Sequence, residues 1–479
     1  MDIAEVLLFA HFVIVTSFTI RILLRDDLVP TTRLAWFIVL ILLPYLGTVV
    51  YFLFGEVNLG KAATQRHTKI FDRIRQGAGD AFGTPGKVNP VIEGCYLPAF
   101  GYTASINGFH TVPGNTAELM PDERETRTRL IADIDAATDH VHVLFYIWLN
   151  DDTGSDVGRA LIRAAQRGVT CRAIADGMGS RAMIHSDLWK EMQNAGVRVA
   201  VALPFRNVIR TLITSRLDLR NHRKITVIDG KITFCGSQNC ADPEFRVKPK
   251  YAPWVDIMLR FEGPVVAQNQ LLFASDWMQA TGEDFGVFTW DATPKPGGFP
   301  AQVMGDGPTE RAGATPQMFA AAIGCARHEL TLSTPYFVPD ATVLEALCSA
   351  AYRGVALTLI FPEKNDSWVV AAASRSYYKK LLSTGAVIYE YSGGLLHSKT
   401  LTMDGKVSLI GSSNLDLRSF DLNYENNILL QDDDITNAIR VRQAAYISSS
   451  KKILLGDVVD WPYRNRIWNN VIATIGPIL

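Results

Sequence analysis

The chain is poor in cysteine. Its six cysteines, Cys95, Cys171, Cys235, Cys240, Cys325 and Cys348, are scattered over 479 residues with no Cys-x-x-Cys. That pattern indicates neither a zinc site nor a disulfide framework, so reduced and partly buried thiols are expected. A surplus of one charge is also lacking: Lys+Arg number 47 and Asp+Glu 48. Without a global positive charge, nucleic acid is not the expected partner. No cluster of metal-ligating carboxylates stands out, so neither a metal nor a cofactor is expected. No basic stretch precedes the first apolar run, which argues against a cleaved signal peptide.

What is present begins at the N-terminus. The mean hydropathy of +0.10 is high for a soluble enzyme of this size, and the excess lies in residues 3–24 and 34–54. Each run is about the length needed to cross a bilayer as a helix, roughly 20 residues. Residues 1–58 are therefore expected to form a transmembrane hairpin. The short loop carries Arg25 and Arg33, while Lys61, Arg66, Lys69, Arg73 and Arg75 follow the second run. That bias places the rest of the chain on the cytoplasmic side.

Residues 59–115 read as a linker leading into the folded part. Beyond them the chain repeats itself, in halves 116–295 and 296–479. Each half alternates helix and strand, with Gly168 and Gly196 ending helices in the first, and Gly354 and Gly385 in the second. This alternation predicts two α/β domains with largely parallel sheets, facing each other across a pseudo-twofold axis. The halves differ in one place: His222 lies 26 positions past Gly196, but His397 lies 12 past Gly385. The extra piece, about residues 205–220, sets Arg206, Arg210, Arg216 and Arg220 beside apolar residues at helical spacing. That suits either a membrane interface or an ordinary packing helix.

Both halves carry one motif. His222, Lys224 and Asp229 stand as His-x-Lys-x4-Asp, and after six intervening residues comes Gly236-Ser237-Gln238-Asn239. His397, Lys399 and Asp404 repeat the spacing, followed by Gly411-Ser412-Ser413-Asn414. Residues after each lysine read as a strand, and Asp229-Gly230 and Asp404-Gly405 as tight turns. Alternation along a strand puts the histidine and lysine of each copy on one face. Two such hairpins brought together place two imidazoles and two ammonium groups around one point.

That set fits phosphodiester chemistry. One histidine can attack phosphorus while the other protonates the leaving alcohol. The lysines would stabilise charge on the non-bridging oxygens. Ser237, Asn239, Ser412 and Asn414 can bind phosphate or hold the loops. Each histidine needs an acceptor to fix its tautomer. Glu425, which is 28 residues past His397, and Asp256 are the candidates. Asp229 and Asp404 sit at the turns and are expected to hold hairpin geometry more than to touch substrate.

These residues resemble the signature of the phospholipase D superfamily, His-x-Lys-x4-Asp-x6-Gly-Ser-x-Asn. The stretches Leu396-His397-Ser398-Lys399-Thr400, Asn414-Leu415-Asp416-Leu417-Arg418-Ser419-Phe420 and Asn423-Tyr424-Glu425 are similar to those of bacterial cardiolipin synthases. So are Ala35-Trp36, Leu43-Pro44 and Tyr51-Phe52-Leu53-Phe54-Gly55 near the N-terminus. The first copy reads Gly236-Ser237 where many cardiolipin synthases have Gly-Gly. The resemblance implies an α/β fold of two duplicated phospholipase D-like domains behind a membrane hairpin, in the bacterial inner membrane. It also implies a phosphatidyltransferase without cofactor. His222 would take the phosphatidyl group from one phosphatidylglycerol, with His397 as general acid, and a second phosphatidylglycerol would accept it. A hydrolase releasing phosphatidic acid would use the same residues.

Overall fold

The computed structural model describes residues 2–26, 28, 30–55, 61–85, 91–204, 218–245, 247–286, 289–291 and 293–474. The extra piece of the first half lies outside them except for residues 218–220. The chain divides into two compact units, one formed by the segment through Lys61 and one holding both repeated halves from Ala62 on.

The N-terminal unit has helices Ile3–Leu23, Pro30–Leu42 and Pro44–Phe54. Ile22, Trp36, Leu40 and Tyr51 form its small core, and the rings of Trp36 and Tyr51 meet edge to face at 5.0 Å. The second apolar run, expected as one continuous helix, is broken at Leu43. Pro44 has no N–H and its ring pushes the preceding residue out of helical geometry; Leu43 sits at φ −134 and ψ 63. Among the described residues no helix is long and apolar enough to cross a membrane. Many large apolar side chains of this unit nonetheless face outward, Phe9, Phe12, Leu24, Ile41, Leu42 and Leu46 among them.

The second unit is built on strands. The first half supplies β1 (Val112–Leu119), β2 (His140–Phe145), β3 (Thr170–Asp176), β4 (Arg198–Ala202) and β5 (Arg220–Asn221). It continues with β6 (Lys224–Ile228), β7 (Ile232–Gly236), β8 (Trp254–Val255) and β9 (Met258–Glu262). The second half supplies β10 (Phe299–Asp306), β11 (Glu329–Ser333), β12 (Phe337–Val338), β13 (Ala356–Pro362) and β14 (Val387–Tyr391). Then come β15 (Leu395–Leu396), β16 (Thr400–Met403), β17 (Val407–Gly411), β18 (Leu415–Asp416), β19 (Asn423–Gln431) and β20 (Ser450–Ile453).

One sheet runs through both halves in the order β20-β14-β13-β11-β16-β17-β19-β10-β1-β9-β7-β6-β2-β3-β4. Outward from the β10–β1 centre, the two directions list corresponding strands, as a duplicated chain with a twofold relation requires. The sheet is mixed rather than largely parallel. Along this path β2-β3-β4 and β11-β13-β14 pair in parallel, where helices cross between strands, and the hairpins and the central strands pair antiparallel; β5, off the path, adds a short parallel pairing to β19. The helix–strand alternation read along the sequence covers those three-strand edges alone. The two halves share a core as well as a sheet. Val266 and Leu272, from helix Val265–Thr281, pack in one buried cluster with Val303, Ile410 and Ile428. Of the six cysteines, Cys95 is half-buried and the others buried, all as free thiols.

Candidate active site

Each motif folds as expected from its local chemistry. Asp229 and Gly230 lie at φ 52 and 59, and Asp404 and Gly405 at φ 54 and 65. A hairpin turn with both central residues at positive φ is the form that Asp-Gly favours. The turn aspartates face away from the histidines. Asp229 Oδ1 accepts from the backbone N–H of Asp139 at 2.8 Å and of His140 at 3.0 Å. Asp404 Oδ1 accepts from His328 at 2.7 Å and Glu329 at 3.0 Å. Each carboxylate thus ties its hairpin to the start of the neighbouring strand, β2 or β11.

Gly236 and Gly411 let the hairpins seat against the adjoining strands. A Cβ on Gly236 would lie 2.2 Å from the carbonyl oxygen of Ile257, and one on Gly411 2.3 Å from that of Asn426. The serines that follow bond to the acids. Ser237 Oγ donates to Asp256 at 2.6 Å, and Ser412 Oγ donates to Glu425. Asn239 and Asn414 are buried beside them, and Asn239 Nδ2 and Asn414 Oδ1 have no partner among the described residues.

The halves exchange their acids. Strand β5, just before His222, pairs in parallel with Asn423–Tyr424 of β19, and His222 N–H donates to the Tyr424 carbonyl at 2.9 Å. Strand β15, just before His397, pairs with β8 of the first half, and His397 N–H donates to Val255 at 2.8 Å. The next residue along each partner strand is the acid. Glu425 therefore meets His222 Nδ1 at 3.0 and 2.9 Å through its two oxygens, and Asp256 Oδ1 meets His397 Nδ1 at 2.6 Å. Lys224 Nζ donates to the carbonyl of His222 at 2.7 Å, and Lys399 Nζ to that of His397 at 2.6 Å.

All these groups are buried, and burial is the largest influence on each. It lowers His222 to about 4, opposed by Glu425 and aided by Lys224. It lowers His397 to about 4 in the same way, opposed by Asp256. Burial takes Lys224 to about 8 and Lys399 to about 7, against the pull of Glu425 and Asp256. For the acids burial pushes the other way, but the neighbouring imidazole N–H and ammonium groups outweigh it. His397 and Lys399 hold Asp256 at about 2, and His222 and Lys224 hold Glu425 below the usual range. An ionised carboxylate can only accept. Each neutral imidazole must therefore carry its proton on Nδ1, which leaves Nε2 with a free lone pair. Lys399 acts on His222 and Lys224 on His397, so the two sets lie within one electrostatic neighbourhood.

Several supporting residues escape sequence reasoning. Arg223, between His222 and Lys224, points the opposite way and is 1% exposed. Its Nη1 donates to both oxygens of Asp276 at 2.8 Å, and its Nε donates to the Glu425 carbonyl at 3.0 Å. Glu123 Oε1 accepts from the Asp256 N–H at 2.6 Å. Rings pack on the histidines: Tyr146 on His222 at 4.8 Å and Trp254 on His397 at 4.4 Å. Strand alternation does signal that Arg223 faces away from His222 and Lys224, but nothing in the sequence names its acid. His140 and His142, outside the motifs, stack on each other, and His142 also stacks on Phe273 at 4.9 Å.

A family model described as "Cardiolipin synthase, PLD-like domain" matches residues 130–268 and 319–444, which hold both motifs. Cardiolipin synthase A of Edwardsiella ictaluri is 33% identical over 476 residues, covering 98% of this chain and 96% of that one. The chain belongs to the cardiolipin synthase family of the phospholipase D superfamily. Another member of that family, cardiolipin synthase A of Serratia proteamaculans, is 33% identical over 485 residues, covering 100% of this chain and 99% of that one. A second model, Phospholipase_D-nuclease N-terminal, matches residues 13–56. Among solved structures, the phosphatidylserine synthase of Haemophilus influenzae Rd KW20 superposes with a TM-score of 0.58 at 13% identity. That match covers 76% of this chain and 95% of the other, and it places the cardiolipin synthase family chain in a shared fold.

Proposed function

We propose that this protein is a membrane-bound phosphatidyltransferase that makes cardiolipin and glycerol from two phosphatidylglycerol molecules. The observation that carries the reading is the crossed arrangement of two histidine–acid pairs beside two lysines, in a chain similar from end to end to cardiolipin synthase A. His222 Nε2 attacks phosphorus, and the P–O bond to the headgroup glycerol breaks. His397 delivers the proton that the departing alkoxide needs. The phosphatidyl group then rests on His222. The headgroup hydroxyl of a second phosphatidylglycerol gives its proton to His397 Nε2 and attacks the same phosphorus, which frees His222.

The acid step needs a protonated imidazole, whereas burial lowers both histidines to about 4. An arriving phosphodiester supplies the missing charge: an anion within about 4–6 Å raises the proton affinity of imidazole and amine alike. Glu425 and Asp256 stabilise the imidazolium as it forms. Lys224 and Lys399 then face the non-bridging oxygens as charge builds on them.

The N-terminal unit is proposed to be the anchor, a hairpin that leaves the catalytic unit on the cytoplasmic side of the bacterial cell membrane. Its outward-facing apolar side chains and the family match over residues 13–56 support this. Anchoring fits the reaction, since both substrates lie in one bilayer and tethering raises their effective concentration.

The test is mass spectrometry of products from the purified protein on phosphatidylglycerol vesicles. Cardiolipin and glycerol in equal amounts are expected, with both falling by at least about 10⁴-fold in His222→Ala. Phosphatidic acid as the sole lipid product would replace the transferase reading with a hydrolase.

A further inference from the structure

A cavity of about 710 Å³ opens mainly on the second half, with Lys250 and Tyr251 of the first half in its wall, and neither His222 nor His397 lines it. Its walls include Lys250, Lys364 and Lys451 together with Trp368, Trp461 and Trp468. Among the described residues these three lysines have no ion-pair partner, whereas Arg375 in the wall is spent on Glu390 at 3.5 Å. Glu363, Asp457, Asn465 and Asn469 line the same space. The volume falls in the range of small-ligand sites, about 300–1,000 Å³. Its chemistry is mixed in a particular way, with unpaired ammonium groups for a phosphodiester, and carboxylates and amides for hydroxyls.

The rim has the amphipathic character of a lipid-contacting surface. Trp368 and Trp468 stack at 5.8 Å, yet remain 63% and 50% exposed. Beyond them, the helix Tyr463–Thr474 turns Tyr463, Ile467 and Val471 outward at 80%, 63% and 52%. Arg464 and Arg466 stand on the same helix. Aromatic and aliphatic side chains edged with cations match the boundary between headgroups and acyl chains. The cavity also connects to the chemistry. Tyr251 lines it and packs against the cluster formed by Ala241, Phe245, Trp254 and Leu395, and the Trp254 ring lies against His397.

We infer that this cavity is a second phospholipid site, which holds the anionic polyol headgroup of a phosphatidylglycerol while its acyl chains lie along the exposed rim of Trp368, Ile467, Trp468 and Val471. The inference deepens the proposed function, on which it rests for the choice of lipid. It gives the enzyme a place to hold a lipid next to the His397 side of the site.

The experiment is photo-crosslinking of the full-length His222→Ala protein in phosphatidylcholine vesicles that carry a minor fraction of photoactivatable phosphatidylglycerol. Adducts are expected on peptides containing Trp368 or Trp468. Lys364→Gln with Lys451→Gln should reduce them, by roughly five-fold for each lysine. Trp468→Ala, a change at an exposed position, should lower them as well. Equal labelling of the cavity by photoactivatable phosphatidylcholine would overturn the anionic-headgroup assignment. Undiminished competition by soluble glycerophosphoglycerol would overturn the lipid assignment. Adducts unchanged in both variants would overturn the site itself. Labelling reads occupancy rather than turnover. A protein that released phosphatidic acid would still label, so failure of this site and failure of the transferase reading can be told apart.

Discussion

Around His222, the residue between histidine and lysine is Arg223, buried and clamped by Asp276; around His397 it is Ser398, hydrogen-bonded to Ser333 at 2.9 Å. The acids differ in the same sense. Glu425 stands in the nine-residue strand β19, engages His222 with both oxygens, and has its backbone carbonyl gripped by Arg223. Asp256 stands between the short β8 and β9, engages His397 through one oxygen, and has its N–H held by Glu123. One motif, twice used, therefore yields two imidazoles held by different means: His222 by a carboxylate engaged through both oxygens, His397 by a single bond of 2.6 Å. The first is the residue proposed above to form the bond to phosphorus. The second is the one proposed to pass a proton out and back.

The largest effect that would sharpen this contrast is a leaving-group test. With phosphatidylglycerol, His397→Ala should slow product formation by about 10²–10⁴-fold, the worth of a general acid. With a phosphodiester that releases p-nitrophenol, which departs without a proton, most of that loss should vanish for His397→Ala and persist for His222→Ala. A reversed pattern in release of p-nitrophenol would exchange the two roles.

Next in size is the bracing itself. Arg223→Ala strands Asp276 as a buried unpaired charge and should cost about 3–5 kcal/mol of stability. The matching change Ser398→Ala should cost about 1 kcal/mol. Denaturant unfolding of the two variants measures this, and equal losses would erase the distinction between the halves.

The smallest effect is in proton uptake. Burial holds Lys399 at about 7 and Lys224 at about 8, below the ordinary 10.5. A lysine lowered on folding costs stability while it must stay charged. The ligand-free protein should therefore gain stability as pH rises from about 7 towards 10.5. Phosphate should reverse this by drawing protons onto the lysines. Calorimetric titration with inorganic phosphate at pH 8, in two buffers of different ionisation heat, should show net proton uptake. Uptake should fall more in Lys399→Met than in Lys224→Met. No uptake in the parent protein would mean that both lysines are already charged in the empty site.

How much of this was legible in the sequence depends on range. The Asp-Gly turns and the shared face of His222 and Lys224 follow from neighbours a few positions apart. Glu425 and Asp256 could be named as acids, but not matched to their histidines. Glu425 is closer in sequence to His397, whereas β19 carries it to His222. Asp276 could not be named at all, because a single buried ion pair leaves no periodic trace. The edge strands β2, β3 and β4 were legible from the helices between them; the antiparallel centre was not. At the N-terminus apolar length suggested one helix across residues 34–54, and Pro44 divides it.

The crossed acids also bear on heredity. Each repeat keeps the residue that sets the other's proton, so neither copy can drift on its own. A change at Glu425 is felt at His222, and one at Asp256 is felt at His397. Cut between its halves, the chain would leave each histidine without its acid, so the two repeats make one working site rather than two.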